Sequence, residues 1–379
     1  MSFKLGLITI SRPFCQAGLA GYSDRAMRVV ARRRGCAYAL TESLLDTIML
    51  CGGMGLKKSI DINDEDHPVA GQIVGSDPET MAPAAKILND RGYDVIDLNF
   101  ACPVKKIKNK ARGGHMLRDV PRALAVMRAV REIIPTERPI TVSLRKGFDD
   151  SAQSRDAFFE IVEEAWRLGF AAIRVHGRTV EQKYLGRADW DFLRQLKLQY
   201  PHRLIFGSGD VFTAEDAVRM LRDTGVDCAW IARGAIGNPW IFRHAADLLT
   251  ADDPSRASVP AGLECPTVLA SGRPARTLAL PTAPPTIHAQ RDALREHFAI
   301  AMEIHGEQLA GRRMRKQGIK YARFHPLAAE VKGAFINVVS LRQWNEVLTR
   351  FYEADGSGIW PRADAVDEVN DGLASCETE

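Results

Sequence analysis

The chain has 379 residues, of which 46% are hydrophobic, and 51 Lys and Arg against 47 Asp and Glu leave a formal net charge of +4. The length exceeds one ordinary domain of about 100–200 residues and suits a barrel of about 250 residues with a smaller unit attached. The apolar fraction excludes a disordered chain, and so small a net charge does not by itself indicate a nucleic-acid partner.

The cysteines and the apolar runs indicate where the protein works. The seven cysteines form no Cys-x-x-Cys pair, which argues against a disulfide framework or a zinc site and favours a reducing compartment. The N-terminal MSFKLGLITI is too short and too weakly charged for a signal peptide. No apolar run approaches the roughly 18–20 residues of a membrane span. We therefore expect a cytoplasmic protein with no membrane partner and no metal.

Short β-rich runs alternate with helical stretches through residues 1–250, a pattern typical of a parallel α/β fold. The eight predicted strands are Pro13–Ala17, Ala37–Thr41, Pro68–Val74, Val95–Asn99, Ile140–Leu144, Ala172–His176, Leu204–Gly207 and Cys228–Ile231. The predicted helices include Pro78–Arg91, Val120–Ile134, Arg155–Leu168 and Ala214–Thr224. Asp77-Pro78 and Thr213 are helix starts, and Gly92 and Gly169 are helix stops. Eight strand–helix units predict a (β/α)8 TIM barrel rather than an open sheet.

The rest of the chain differs in composition. Residues 251–287 are rich in Pro, Ala, Ser and Thr without a sustained period, which predicts a linker or an insertion. Residues 288–352 have helical spacing, and eleven Lys and Arg stand against six Asp and Glu between 288 and 350. This pattern predicts a small, basic, all-helical C-terminal domain. An acidic tail over 353–379 follows, and we expect it to be disordered.

The predicted strand ends carry polar residues, and in a barrel of this kind the chemistry lies at the C-terminal ends of the strands. These residues are Gln72, Asn99, Cys102, Arg145 and His176, together with Gly-Ser-Gly-Asp at 207–210 and Ala-Arg-Gly at 232–234. Small residues in the last two turns let backbone N–H groups approach a phosphate. Each turn taken alone is also compatible with a purely structural role, as a tight turn between a strand and the next helix. A flavin mononucleotide fits these turns, because Gln72 and Asn99 can then hydrogen-bond the edge of its ring.

Cys102 has two interpretations. A lone cysteine is often a small buried hydrophobe, but this one follows a strand end and precedes a strongly basic loop. The cations of that loop are Lys105, Lys106, Lys108, Lys110 and Arg112. Nearby positive charge stabilises a thiolate. The basic loop is either the contact for a polyanionic substrate, which would neutralise its charge, or simply a solvated surface. His176 is likewise either structural or, with Arg178, placed over the pocket, while Tyr184 and Trp190 are expected to pack against the following helix.

With these residues in hand, the chain resembles the bacterial tRNA-dihydrouridine synthase family, nearest to its B-type branch, from about Pro13 to Arg350. The segments that carry the resemblance are Ala-Gly-Tyr-Ser-Asp-Arg (20–25), Gln-Ile-Val-Gly-Ser-Asp-Pro-Glu (72–79), Asp-Leu-Asn-Phe-Ala-Cys-Pro-Val-Lys-Lys (97–106), His-Gly-Arg-Thr (176–179), Gly-Ser-Gly-Asp (207–210), Ala-Arg-Gly-Ala-Ile-Gly-Asn-Pro-Trp-Ile-Phe (232–242) and Met-Arg-Lys-Gln (314–317). The resemblance implies a TIM barrel that holds FMN, NADPH as the reductant, and a helical domain that binds tRNA or another structured RNA. It also implies a monomer.

The resemblance assigns roles to individual residues. It implies that hydride passes from flavin N5 to uracil C6 and that Cys102 is the general acid that protonates C5. The implied cofactor contacts are Ala17, Gly18, Gln72, Asn99, Ser143, Arg145, His176, Ser208, Gly209, Asp210, Ala232 and Arg233. The implied substrate and RNA contacts are Lys105, Lys106, Arg178, Arg312, Arg313, Arg315 and Lys316.

The chain departs from the family pattern at a few positions. Ser143 stands where the family usually has a lysine that meets the flavin's pyrimidine edge, and Arg145 is the only local substitute, because it faces the same side of the strand. Ser208 replaces the usual Asn and Ala232 a Gly, both small changes. His115 stands where the family commonly has a small residue. Its role is open between a second acid, a substrate contact and an inert surface group.

Two other functions remain open at this point. An FMN barrel that reduces a free small molecule would explain Cys102 and the phosphate turns, but it leaves the basic C-terminal domain without a purpose. An RNA-binding homologue that lost its activity through Ser143 would explain the basic domain.

Overall fold

A computed structural model describes residues 2–53, 60–103, 111–251 and 283–361 of the chain. The strands of these residues are β1 (Phe3–Leu5), β2 (Ile8–Ile10), β3 (Phe14–Gln16), β4 (Ala39–Leu40), β5 (Leu44–Leu45), β6 (Val69–Val74), β7 (Val95–Phe100), β8 (Ile140–Arg145), β9 (Ala172–His176), β10 (Ile205–Ser208) and β11 (Cys228–Ile231). Strands β3, β4 and β6 to β11 pair in parallel in that order, and the pairings of β4 with β6 and of β11 with β3 close the ring. This closed sheet confirms the predicted (β/α)8 TIM barrel.

The eight barrel strands lie within two residues of their predicted bounds, and β9 and β11 match them at both ends. β6, β7 and β8 are buried at every position, because helices cover the outside of the barrel while alternate side chains fill its interior. The second barrel strand differs from the prediction. It stops at Leu40, and the chain then pairs with β6 a second time as β5, with Leu44 opposite Ile73.

Helices follow the barrel strands. They are α1 (Arg25–Arg32), α2 (Asp46–Cys51), α3 (Pro78–Asp90), α4 (Val120–Ile133), α5 (Ala152–Arg167), α6 (Trp190–Gln199), α7 (Ala214–Thr224) and α8 (Ile241–Ala251). The predicted caps are confirmed. Asp77 accepts the backbone N–H of Glu79, and Thr213 forms a reciprocal capping box with Asp216. Gly92 and Gly169 follow α3 and α5 with φ angles of +85° and +72°, which glycine tolerates best.

A hairpin that was not predicted from the sequence plugs the N-terminal end of the barrel. Strands β1 and β2 pair antiparallel, and they bury Leu5 and Ile10 completely. The Phe3 ring lies 5.5 Å from that of Phe206, which stacks 5.9 Å from Trp230 inside the barrel. The barrel interior is therefore filled from this end upward, and the opposite, C-terminal end is the one that presents polar side chains.

The C-terminal residues form helices α9 (Ile287–His305), α10 (Glu307–Tyr321), α11 (Ala328–Ile336) and α12 (Leu341–Tyr352). They have a core of their own, which includes Phe298, Phe335 and Trp344. α9 packs on α1 of the barrel, where Glu296 accepts from Arg34 at 2.6 Å and also from Arg33. A helical C-terminal region is thus confirmed. Most of the predicted linker, residues 252–282, lies outside the described residues.

The beginning of the predicted tail packs against the protein. Trp360 stacks on His244 with ring centroids 4.3 Å apart, and Ile359 donates its N–H to the Phe324 carbonyl. Ile359 and Trp360 therefore contact partners that lie far from them in sequence, which local composition could not indicate. The expected disorder of the tail stays a prediction. Residues 362–379 lie outside the described part of the chain.

None of the described helices is long and apolar enough to cross a membrane. Across the same residues, five cysteines are free thiols, and no group of three His, Cys, Asp or Glu side chains is arranged to hold a metal ion.

Candidate active site

The strand register gathers the predicted polar residues at the C-terminal mouth of the barrel. Asn99 on β7 is opposite Ser143 on β8. Arg145 is opposite His176 on β9, and His176 is opposite Ser208 on β10. Inward-facing positions alternate along each strand, so these side chains point into one enclosure. Their convergence was expected from the strand ends, but their pairing is set by the register.

Asn99 holds the segment that carries Cys102. Its side-chain oxygen accepts the backbone N–H groups of both Ala101 and Cys102 at 3.0 Å. Its amide nitrogen donates to Gln72 Oε1 and to Ser43 Oγ, each at 3.0 Å. Cys102 is partly exposed, and its carbonyl accepts from the Gly114 N–H at 2.9 Å. The thiol therefore extends from a backbone that is fastened on both sides at the barrel mouth.

A buried carboxylate below Asn99 orients this arrangement. Asp97 is 2% exposed and accepts hydrogen bonds from Gln72 Nε2 at 2.7 Å, Thr141 Oγ1 at 2.6 Å and Ser143 Oγ at 2.7 Å. Because an ionised carboxylate only accepts hydrogen bonds, the Gln72 amide must direct its nitrogen towards Asp97 and its oxygen towards Asn99. Asn99 then has its own oxygen left for the Cys102 backbone. Sequence reasoning missed Asp97, although its spacing of two residues from Asn99 places both on the inner face.

The cation beside Ser143 is Arg174, which the sequence analysis did not select. Arg174 is opposite Ser143 in the register, and its Nη2 donates to Ser143 Oγ and lies 3.4 Å from Asp97 Oδ2. Its guanidinium carbon is 4.5 Å from the centre of the Trp230 ring, a cation–π contact. A register partner on another strand is not visible from local sequence.

Arg145, the substitute expected from the sequence, is occupied elsewhere. Its guanidinium donates to the carbonyl oxygens of Ala101 at 2.8 Å, Thr179 at 2.8 Å and Lys183 at 2.6 Å. Burial lowers its pKa to about 10, which leaves it charged at neutral pH. Arg145 therefore braces the loop of Cys102 through the Ala101 carbonyl, and it contributes a positive charge near the thiol.

His176 is held as a neutral ring. Burial lowers its pKa well below the usual value, and the positive charges of Arg145, Arg178 and Arg233 lower it further. Its Nδ1 accepts the backbone N–H of Arg178 at 3.2 Å. A neutral imidazole that accepts at Nδ1 carries its proton on Nε2. His176 thus offers a hydrogen-bond donor, and not a charge, to whatever binds above it.

The turns after β10 and β11 pack backbone against backbone. A Cβ atom on Gly234 would lie 2.7 Å from the Val211 carbonyl oxygen and 2.8 Å from that of Phe212. Gly209 has a φ of +116°, and its neighbour Asp210 has a φ of +55°, which is uncommon for a residue with a side chain. Trp190 donates its indole N–H to the Gly209 carbonyl at 3.0 Å, so it supports the turn as well as starting α6.

Next to these turns lies a cavity of about 690 Å³. Its lining includes Arg178, Tyr184, Arg187, Trp190, Asp210, Phe212, Arg219 and Arg233. Arg178 is only 2% exposed and donates to Asp210 at 2.8 Å, while its Nη1 is buried without a hydrogen-bond partner among the described residues. The side chain of Arg178 is therefore held from within the protein, and its expected contact with RNA stays a prediction.

The loop after Cys102 differs in part from the expectation. Lys105, Lys106, Lys108 and Lys110 lie outside the described residues. Arg112 is buried in an ion pair with Asp46, 3.1 Å away, so its inclusion among the solvated loop cations was wrong. Its partner is distant in sequence and could not be anticipated. His115 is partly buried and packs against Phe148, with ring centroids 5.4 Å apart.

The basic residues predicted on the C-terminal helices lie on α10, which faces a barrel loop. Arg312 and Lys316 are exposed, and the Lys316 ammonium lies 6.0 Å from the centre of the Tyr22 ring in the loop after β3. Arg313 lies 3.7 Å from Asp24 at the start of α1. Part of the positive charge of α10 is therefore used to hold the helices to the barrel, and the rest is open to a partner.

The chain was compared with known proteins. The family model of dihydrouridine synthase matches residues 15–353. The chain is 30% identical over 361 residues to tRNA-dihydrouridine synthase B of Xanthomonas campestris pv. campestris, covering 94% of this chain and 98% of that protein. It is 28% identical, with the same coverage, to the protein of that name from Xanthomonas axonopodis pv. citri. A solved 2-naphthoyl-CoA reductase superposes with a TM-score of 0.52 at 11% identity over 64% of this chain and 51% of that one, which shows the fold alone. The chain belongs to the dihydrouridine synthase family.

Proposed function

We propose that this protein reduces specific uridines of tRNA to 5,6-dihydrouridine, with bound FMN, with NADPH as the reductant and with Cys102 as the general acid. The observation that carries the proposal is the chain of hydrogen bonds from Asp97 through Gln72 and Asn99 to the Cys102 backbone at the barrel mouth. A cysteine that only fills a core would be buried, whereas Cys102 is partly exposed on a backbone that Asn99 holds. The relatives are named as tRNA-dihydrouridine synthases, in agreement with this chemistry.

The residues present fit FMN. The turns at 208–210 and 232–234 would hold the phosphate, with Arg233, Ser208, Gly209, Asp210 and Ala232 as its surroundings. Support comes from the close packing of the two turns at Gly234 and from the adjoining cavity, which Arg178 and Arg233 line. The ring would lie against the remaining proposed contacts, which are Ala17, Gly18, Gln72, Asn99, Ser143, Arg145 and His176. When bound, FMN supplies the hydride that is transferred to uracil C6.

Cys102 would donate its proton to C5 of the uracil. The thiol becomes a thiolate as the C5–H bond forms, and it recovers a proton from solvent before the next turnover. The nearby Arg145 cation stabilises that thiolate, and its hydrogen bond to the Ala101 carbonyl keeps the thiol loop in place. The neutral His176 can donate a hydrogen bond from Nε2 without competing as an acid.

We further propose that residues 288–352 form the RNA-binding domain and that residues 1–250 form the catalytic domain of a cytoplasmic monomer. Arg312, Arg313, Arg315 and Lys316 on α10, with Lys105 and Lys106 of the loop after Cys102, would contact the phosphates of the RNA. The exposure of Arg312 and Lys316 beside the barrel loop of Tyr22 supports this placement. The uracil must leave its stack to reach the barrel mouth, so a loop nucleotide is the expected target.

Replacing the proposed acid tests the mechanism. Cys102→Ala should bind FMN and tRNA like the unmodified protein and should lose about 10²–10⁴-fold in dihydrouridine formation, since only the proton donor is removed. Dihydrouridine is measured by mass spectrometry of the RNA. The matched control is Cys51→Ala, which removes an exposed thiol and should keep full activity. Unchanged activity in Cys102→Ala would show that Cys102 is not the acid.

Two measurements separate this function from its alternatives. Affinity for tRNA should fall steeply as salt rises, because phosphate contacts release counterions. A flat salt dependence would instead favour a reductase of free small molecules. A purified protein that takes up no FMN would favour an RNA-binding homologue without activity.

A further inference from the structure

The strongest unassigned feature is the buried guanidinium of Arg174, which lies inside the barrel under the proposed flavin contacts. Ser143, on the neighbouring strand, is completely buried and too short to carry a charge to the barrel mouth. Arg174 is its register partner and donates to its hydroxyl. The guanidinium therefore occupies the space beside Ser143 that a longer side chain on β8 would fill.

Among the described residues, aromatic side chains close the barrel below the Arg174 side chain. That side chain is 11% exposed, whereas below it Trp230 and Phe206 are almost completely buried and stacked upon each other. Phe3 of the terminal hairpin closes the column underneath. The direction left open from Arg174 is therefore the mouth that also contains Asn99 and His176.

The positive charge of Arg174 is only partly offset. Asp97 is its carboxylate neighbour at 3.4 Å, but that carboxylate also accepts shorter hydrogen bonds from Gln72, Thr141 and Ser143. Donors that share one carboxylate weaken its hold on each of them. A guanidinium in this position can bind an electron-rich acceptor above it, and Arg offers several N–H groups for that purpose.

We infer that Arg174 supplies, from β9, the cation that the family usually places at position 143, and that it faces the pyrimidine edge of the flavin. This inference rests on the proposed binding of FMN. Reduction places negative charge on that edge of the ring, and a nearby guanidinium stabilises it. Arg174 is thus a residue that sets the redox potential of the cofactor in this chain, while Arg145 supports the loop of Cys102.

The test measures the bound flavin, without turnover. Sulfite adds to the oxidised ring and leaves it negatively charged, so its affinity reports the local charge. Arg174→Met should weaken sulfite binding about tenfold or more. The midpoint potential should fall by about 30 mV or more, the equivalent of a tenfold shift for a two-electron couple. Arg203→Met is the matched control, because it removes an arginine stacked on Trp166 on the outside of the barrel, and it should change neither value.

A second variant, in which the positive charge is moved from β9 to β8, tests the inference if Arg174→Met folds poorly. The double variant Ser143→Lys with Arg174→Leu returns a cation to β8 with Asp97 still beside it, and it should recover the sulfite affinity and the potential to within about threefold. Wild-type values in Arg174→Met, or no recovery in a folded double variant, would overturn the inference. If the unmodified protein takes up no FMN, the proposed function fails instead, which is a distinguishable result.

Discussion

The ion pair between Asp97 and Arg174 allows a quantitative prediction about the barrel without its cofactor. Asp97→Asn keeps the shape of the side chain and removes its charge. At the observed separation of 3.4 Å, and with an effective dielectric constant of about 20, the lost attraction is about 5 kcal/mol. This agrees with the roughly 3–5 kcal/mol that breaking one side of a buried pair usually costs. We expect Asp97→Asn to lower the free energy of unfolding by about that amount.

A double-mutant cycle separates this charge effect from the hydrogen bonds that Asp97 also accepts. Urea unfolding of the protein without cofactor would be followed for Asp97→Asn, Arg174→Met and both together. Removing both charges leaves no unpaired ion, so the loss in the double variant should be smaller than the sum of the single losses by about the strength of the pair, about 3–5 kcal/mol. The hydroxyl groups of Thr141 and Ser143 can rotate to serve an amide at position 97 in each background. Losses that add to within about 0.5 kcal/mol would refute the assigned pairing.

Two further predictions concern other parts of the molecule. Gly234→Ala should weaken FMN binding about tenfold or more in a titration of the apoprotein, because its Cβ would meet the carbonyl oxygens of the adjoining turn. The control is Gly333→Ala on α11, where no heavy atom lies within 4 Å of the added Cβ. This variant should bind FMN normally. Burial lowers the pKa of His297 to about 4 in the folded protein, whereas the same imidazole has a pKa near 6.5 in the unfolded chain. The unfolded chain therefore gains a proton first as the pH falls. The stability that the neutral buried imidazole allows is present above about pH 6.5 and is lost as the pH falls towards 4. Between pH 7 and pH 5 that loss is about 2 kcal/mol, and urea unfolding of His297→Leu should show a pH dependence smaller by this amount; an identical dependence would contradict the assignment.

Local interactions explain why much of the fold could be predicted from the sequence. The capping box of Thr213 and Asp216 uses residues three apart, so the start of α7 was visible in the chain. Gly92 and Gly169 end their helices for an equally local reason, the left-handed backbone. The broken second strand and the terminal hairpin could not be anticipated, because each depends on pairing or packing with residues far away.

The candidate site divides in the same way. The C-terminal ends of the barrel strands follow from the alternation of strands and helices, and with them the positions of Cys102, Asn99 and His176 at one mouth. The burial of Arg112 against Asp46 was missed, since an ion pair across 66 residues leaves no local pattern. Arg112 was expected to supply positive charge near the thiol of Cys102. In the folded chain Arg145 supplies part of that charge, through contacts between residues that are far apart in sequence.

The amino-acid sequence was sufficient to predict the barrel, the family and the residue types at the barrel mouth, because short-range periodicity and contiguous motifs encode them. It also showed that Ser143 lacks the family's charge, and along the strand it offered only Arg145 as a substitute. In the folded chain, the register of β8 and β9 places another cation, Arg174, directly beside Ser143. Neighbours across a parallel sheet are set by strand pairing and not by spacing along the chain, so the position of that cation could be learned only from the fold.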